Sequence, residues 1–235
     1  MSSKERGKVQ NISRFAYIQK TKCEVYGYPI SNITILLLGA QFFMGIWLII
    51  KYGQSAVPSL QTFMWQNQSF LIFSVSGILL HQAFVGLGKP DNENLGKVFY
   101  LTLFCAIAVA VVQFIIVSLT KISISLIDQM FFYACAGISE EFLFRFGLQL
   151  SIERFFMKTL SNSSRCNLLS TILAITITSF MFALYHLFVK ESVSLMLAVF
   201  LSSVILGIFL RIGKRIDVTI LAHVIVNLIV VFYAQ

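Results

Sequence analysis

Charge is scarce in this chain: 12% of its 235 residues are Asp, Glu, Lys or Arg, where an ordinary soluble domain carries about 25%. Proline occurs three times and cysteine four times, and no two cysteines stand at CxxC or metal-finger spacing. These shortages exclude a disordered chain, a collagen-like chain and a disulfide-stapled module. Too few polar side chains are present to coat a soluble enzyme. Acids are the scarcer charge, ten against eighteen Lys and Arg, which leaves a formal net charge of +8. In a soluble protein that excess would point to nucleic acid. Here the cations are spread over short loops and the N-terminal tail, so no nucleic-acid partner is expected.

What the chain has instead is apolar surface: 57% of residues are hydrophobic and 23 are Phe. A helix needs about 20 apolar residues to cross the hydrocarbon core. Seven runs meet or approach that length, at 29–50, 70–87, 98–119, 127–150, 168–189, 193–210 and 218–233. The expected fold is all-α, a polytopic transmembrane helical bundle of about seven spans forming one domain over 29–235. Residues 1–28 form a basic tail suited to an anionic membrane surface. Its length, and the length of the apolar run after it, do not fit a cleavable signal peptide. Placing the N-terminus in the cytoplasm puts fourteen of the eighteen basic residues on the inner side and three on the outer, with Arg145 inside a span. That bias follows the positive-inside rule. The lipid bilayer is therefore one partner, and the expected location is multi-pass in the cell membrane, or in the endoplasmic reticulum of a eukaryotic host.

Each ionisable group inside a span costs about 2.5–3.5 kcal/mol on insertion scales and needs a polar partner or a wet cavity. Such groups concentrate in three late runs, as Ser139-Glu140-Glu141-Phe142-Leu143-Phe144-Arg145, Phe182-Ala183-Leu184-Tyr185-His186 and Ala222-His223-Val224-Ile225-Val226-Asn227. Glu141 and Arg145 are i and i+4 with the acid first, the favourable order for a pair along a helix. Glu140 falls about 100° away from that face, where it can face a cavity and serve in proton transfer. The plainer reading is that both acids only neutralise Arg145 and its neighbours. His223 and Asn227 also share a face. They can aim two donors at one developing oxyanion, or act as hydrogen-bonding glue between helices. His186 and Phe182, each taken alone, read as packing residues, and His81, beside Gln82, reads as structural.

The order EExxxR, FxxxH, HxxxN on three late helices resembles the CPBP family of intramembrane proteases, which includes the type II CAAX prenyl endopeptidases and relatives linked to bacteriocin self-immunity. The resemblance covers about 127–233, and Gly207 and Arg211 look like the family too. Phe146 departs from it, where many members have Gly directly after the Arg. The resemblance implies an intramembrane endopeptidase acting on a membrane-associated protein or peptide, prenylated or not. It implies Glu140 as the activator of water, His186 as its aid, His223 and Asn227 as the oxyanion hole, and Glu141, Arg145 and Phe182 as supports. No cofactor is expected. The zinc alternative would draw on Glu140, His186 and His223 as three ligands with one open position, but no HExxH stands in the chain.

The main competing reading is a non-catalytic membrane protein of the same fold that sequesters a peptide. No symmetric pair of short segments suggests a transporter, and the seventh run has no Lys for a retinal. One expectation of depth conflicts with the proposed site. At 1.5 Å per residue, Glu140 falls about 20 Å from the outer end of its run and His186 about 5 Å from the end of its own. Tilt, a break near Gly137, or different span limits would be needed to bring them together.

Overall fold

The computed structural model describes residues 31–52, 58–85, 95–116, 125–160, 164–190 and 193–233. The basic tail expected at 1–28 lies outside them. The described residues form α1 (Asn32–Tyr52), α2 (Pro58–Phe84), α3 (Leu95–Ile116), α4 (Leu126–Glu140), a π-helical segment (Glu141–Gln149), α5 (Leu150–Thr159), α6 (Ser164–Lys190), α7 (Val193–Gly213) and α8 (Ile216–Tyr233). The junction residues Glu140, Glu141 and Leu150 all keep right-handed helical dihedrals. α4, the π segment and α5 are therefore one continuous rod, with no break at Gly137. Seven rods result, one for each apolar run, and the fold is all-α as expected.

The rods outlast the runs where polar residues end the hydropathy but not the helix. α2 begins at Pro58 rather than near residue 70, because the intervening Gln, Asn and Ser dilute the run while Pro suits a first helical position. α5 continues to Thr159 through Glu153, Arg154 and Lys158, all tolerant of helix interiors. Among the described residues, Asn32–Tyr52, Leu168–Leu187 and Met196–Gly213 are long and apolar enough to cross a membrane, with Phe99–Val112 and Ile216–Phe232 as shorter apolar helices. Leu36 and Ile50, 72% and 76% exposed, present large side chains outward, as a lipid-facing surface requires. The protein is an integral membrane protein.

Two polar knots set the ends of the bundle. At one end Ser125 caps α4 by accepting from the Asp128 backbone N–H at 3.3 Å, the usual service of an N-cap serine. The Asp128 carboxylate accepts from Lys51 Nζ and Tyr52 Oη, each at 2.5 Å, and from Ser125 Oγ. The last turn of α1 is thus tied to the first of α4. At the other end Asp217 accepts from Ser31 Oγ at 2.8 Å and from Arg215 Nε and Nη2, which ties the start of α1 to the start of α8. Lys214, at φ 54°, adopts the left-handed conformation that ends α7 and turns the chain into α8.

The π segment lies at the centre, packed against α2, α4, α5, α6, α7 and α8. Phe142 and Phe146 join Ile138, Leu150, Val85, Leu210, Ile216 and Ile220 in one core cluster. Phe144 joins Phe182, Ala183 and Val199 in another. In a bilayer, association between helices rests on close contact and polar bonds rather than on escape from water, and glycine is what permits the closest contact here. A Cβ on Gly77 of α2 would stand 2.0 Å from Phe142 O, and one on Gly147 would stand 2.8 Å from Gly77 Cα. The α2 and π backbones therefore touch directly.

Among the described residues α6 packs on α5, α7 and the π segment but makes no backbone approach to α4 or α8. This resolves the conflict of depth. Glu140 lies about 18 Å along α4 from Asp128, whereas His186 lies about 6 Å before the end of α6. The first turns of α4 rise beyond the end of α6 and pack instead on α1, α2 and α8.

Because the clash at Gly77 is with backbone, Gly77→Ala is expected to destabilise the folded protein by about 1–3 kcal/mol or more. A thermal melt in detergent beside the wild type checks this, with Gly39→Ala, which meets nothing within 4 Å, as the unaffected control.

Candidate active site

Glu140 is the last residue of α4 and Glu141 the first of the π segment, and these adjacent acids have separate surroundings. Glu141 is sealed, with 0% of its side chain exposed, as is Arg145. Its Oε2 stands 3.7 Å from Arg145 Nε across the expected i, i+4 spacing. Its Oε1 accepts from His223 Nδ1 at 3.0 Å. Arg145 donates from Nη2 to Ser203 Oγ on α7 at 2.8 Å, and its guanidinium lies over the Phe182 ring, 5.3 Å from the centroid. Such cation–π contact strengthens away from water.

Glu140, in contrast, keeps 7% of its side chain exposed, beside His223 at 11% and His186 at 16%. Its Oε1 lies 3.9 Å from His186 Nε2 and its Oε2 lies 3.7 Å from His223 Nε2. The carboxylate thus stands between two imidazoles supplied by α6 and α8. His186 Nδ1 is 3.0 Å from Phe182 O, four residues back. A carbonyl only accepts, so this bond places the proton on Nδ1 and leaves Nε2 of the neutral ring an acceptor, which can meet the acceptor-only Glu140 carboxylate through a shared donor such as water. For His223 the Glu141 bond places a proton on Nδ1 in the same way. Phe182, expected to be a packing residue, is the floor of the site. Its ring meets those of His186, Phe144 and His223 at 4.5, 4.9 and 6.1 Å, all near edge-to-face.

Asn227, one turn on from His223, donates from Nδ2 to Tyr133 O on α4 at 3.0 Å. Its bond runs to the helix backbone rather than to Glu140 or His186. Gly137 makes room for this, since a Cβ there would stand 3.3 Å from both Asn227 Nδ2 and the Val224 backbone N. The structure therefore gathers Glu140, Glu141, Arg145, Phe182, His186 and His223 around one point, with Asn227 beside them on α8. Among the described residues no group of three or more His, Cys, Asp or Glu is arranged to hold a metal ion, and the Nδ1 of His223 is already engaged by Glu141.

Two partners were not read from the sequence. Glu141 holds His223 as well as Arg145, which no spacing could reveal because 82 residues separate them. Ser203 takes the guanidinium; its signal was the Ser202–Ser203 pair, buried in the middle of a mostly apolar helix.

Residues 121–229 match the family model for Type II CAAX prenyl endopeptidase, Rce1-like. This match agrees with the resemblance to the CPBP proteases carried by the three motifs. No curated protein and no solved structure matches the chain. The Rce1-like segment contains every residue of the site just described, from Glu140 to Asn227, and supports a CAAX-protease-like membrane enzyme acting on a protein or peptide.

Breaking a buried ion pair by removing one partner leaves an uncompensated charge and costs about 3–5 kcal/mol. Arg145→Leu is expected to lose that much stability. Arg145→Lys, which keeps the charge but not the planar fork that reaches Ser203, is expected to lose less. Melting temperatures of the two purified variants check the order.

Proposed function

We propose that the protein is an intramembrane endopeptidase, in which Glu140 activates a water molecule for attack on a peptide bond of a membrane-associated protein or peptide. The observation that carries this reading is the position of the Glu140 carboxylate, 7% exposed between two imidazole Nε2 atoms, beside a neighbouring acid that is sealed against Arg145 and His223.

The gaps of 3.9 and 3.7 Å around Glu140 exceed a direct hydrogen bond and suit a bridging water. A water held between Glu140 Oε1 and His186 Nε2 gives one hydrogen to each acceptor, which aims its lone pair outward. As its oxygen bonds to the substrate carbonyl carbon, its proton passes to Glu140. His223, fixed through Nδ1 by Glu141, donates from Nε2 to the carbonyl oxygen when that nitrogen is protonated. The second N–H of the Asn227 amide, the first being held by Tyr133 O, supplies the other donor. Preorganised donors of this kind are each worth about 100- to 1,000-fold in rate. Collapse of the tetrahedral intermediate breaks the C–N bond, and Glu140 returns the proton to the leaving amine. No step needs a metal. The family's name points to a substrate with a prenylated CAAX terminus, and a cleft set among apolar helices suits a lipidated tail.

The test compares wild type and Glu140→Gln in detergent, using farnesylated CAAX peptides and an unmodified peptide library, with and without a strong chelator. Cleavage by wild type alone, surviving chelation, is expected, with Glu140→Gln reduced by at least about 1,000-fold and its melting temperature unchanged. Retained cleavage in the variant overturns the role of Glu140. Loss on chelation with rescue by zinc would make Glu140, His186 and His223 ligands instead. Peptide bound but uncut by either protein would favour the sequestering alternative.

A further inference from the structure

The π segment is an unusual element to find running on from a catalytic glutamate. Such turns are rare in helices and occur frequently at functional sites. A backbone in a sparsely used form persists when its surroundings over-determine it. Here the most extensive packing on the π segment comes from α2, which lies outside the matched segment. Gly77, His81 and Val85 recur at i, i+4 and i+8, a single stripe along α2 and the residue that follows it. Gly77 allows its backbone to touch Phe142 O. Val85 packs into the cluster of Phe142 and Phe146, and its carbonyl accepts from Arg154 Nη1 at 2.5 Å. Between them His81, fully buried, places Nδ1 3.1 Å from Phe146 O, and its ring stacks on the Phe146 ring at 3.7 Å and 16°. A carbonyl acceptor requires that Nδ1 carry the proton. One imidazole therefore grips both the backbone and the side chain of the residue directly after Arg145.

We propose that His81 is a positioning residue for the hydrolysis. By holding Phe146 it fixes the register of the π segment, and so the placement of Glu141 on His223 and of Glu140 between His186 and His223. This rests on the reading of Glu140 as the activating base. A displacement of about 1 Å at a reacting group, caused from a distance, can cost about 100-fold in rate. The departure at Phe146 from the glycine common at this place has a use in the same contact, since a glycine would offer His81 no ring to stack on.

The chain has only three histidines, so each imidazole can be followed separately by 15N NMR of histidine-labelled full-length protein in detergent. In wild type, His81 and His223 are both expected to carry a proton on Nδ1. His81→Phe keeps an aromatic ring on Phe146 and removes the donor. It is expected to remain folded, to blur the single tautomer of His223, and to lower kcat by about 10- to 100-fold with KM within about twofold. His81→Gln, which restores a donor, is expected to recover much of both. A wild-type His81 protonated at Nε2 instead would overturn the proposal without any variant. So would His81→Phe with His223 signals and kcat unchanged, or with activity lost only in step with folded protein. Should the wild type cleave nothing, the function proposed above fails, while the His223 signal still decides whether His81 sets the register.

Discussion

A guanidinium with no exposed side-chain surface, in the middle of an apolar bundle, is the constraint around which the rest is arranged. An unpaired charge at that depth is costly enough that the fold must bring it partners. Arg145 receives them from three directions: Glu141 on its own rod, Ser203 from α7 and the Phe182 ring from α6. Each partner fixes a helix. The same Glu141 then reaches His223 on α8, so the arrangement that makes one cation tolerable also orients an imidazole at the site. Stability and placement are here one set of contacts, and a side chain removed for either reason disturbs both.

The rod that carries these groups changes its winding where the two acids meet. Up to Glu140 it is α-helical and packed on α1, α2 and α8; from Glu141 it is π-helical and packed on α2 and α6 as well. The wider turn is held from outside by direct backbone contact at Gly77 and Gly147 and by His81. Small residues allow that closeness, and polar bonds to the π backbone keep it in register, which is the usual pairing of roles between helices in a membrane.

Much of this was legible from residue pattern alone. Apolar runs marked all seven rods, because length and hydropathy in a bilayer leave little choice of structure. Three motifs marked the helices that meet at the site, and the i, i+4 rule separated Glu141 from Glu140 correctly, since Arg145 does pair with Glu141. The ends of rods were less legible: hydropathy stops at Gln66 or Glu153, whereas the backbone continues through them. The depth conflict between Glu140 and His186 arose from treating all spans as level, when α6 ends short of the turns that begin α4. The π segment left no mark in the pattern, because π and α turns place i and i+4 near one another alike. The reach of Asn227 to Tyr133 O, rather than toward Glu140, depends on how closely α8 approaches Gly137, which is a property of two helices and of neither sequence.

The proposed hydrolysis within a bilayer sets two opposed demands. Water must reach the base, yet the charges that hold the base in place must be kept from water if they are to hold it strongly, because their attraction grows as the local dielectric falls. Two adjacent glutamates meet both demands by facing apart. Glu141 turns into the seal, with Oε1 on His223 and Oε2 toward Arg145, while Glu140 turns toward His186, the most exposed of the site's side chains. Among these side chains His186 is 16% exposed, whereas Glu141 and Arg145 are at 0%. The ring of Phe182 is the boundary: the guanidinium rests on its face, and the two imidazoles meet it edge-on. A residue that composition alone would assign to the core therefore touches both the sealed guanidinium and the two imidazoles beside Glu140.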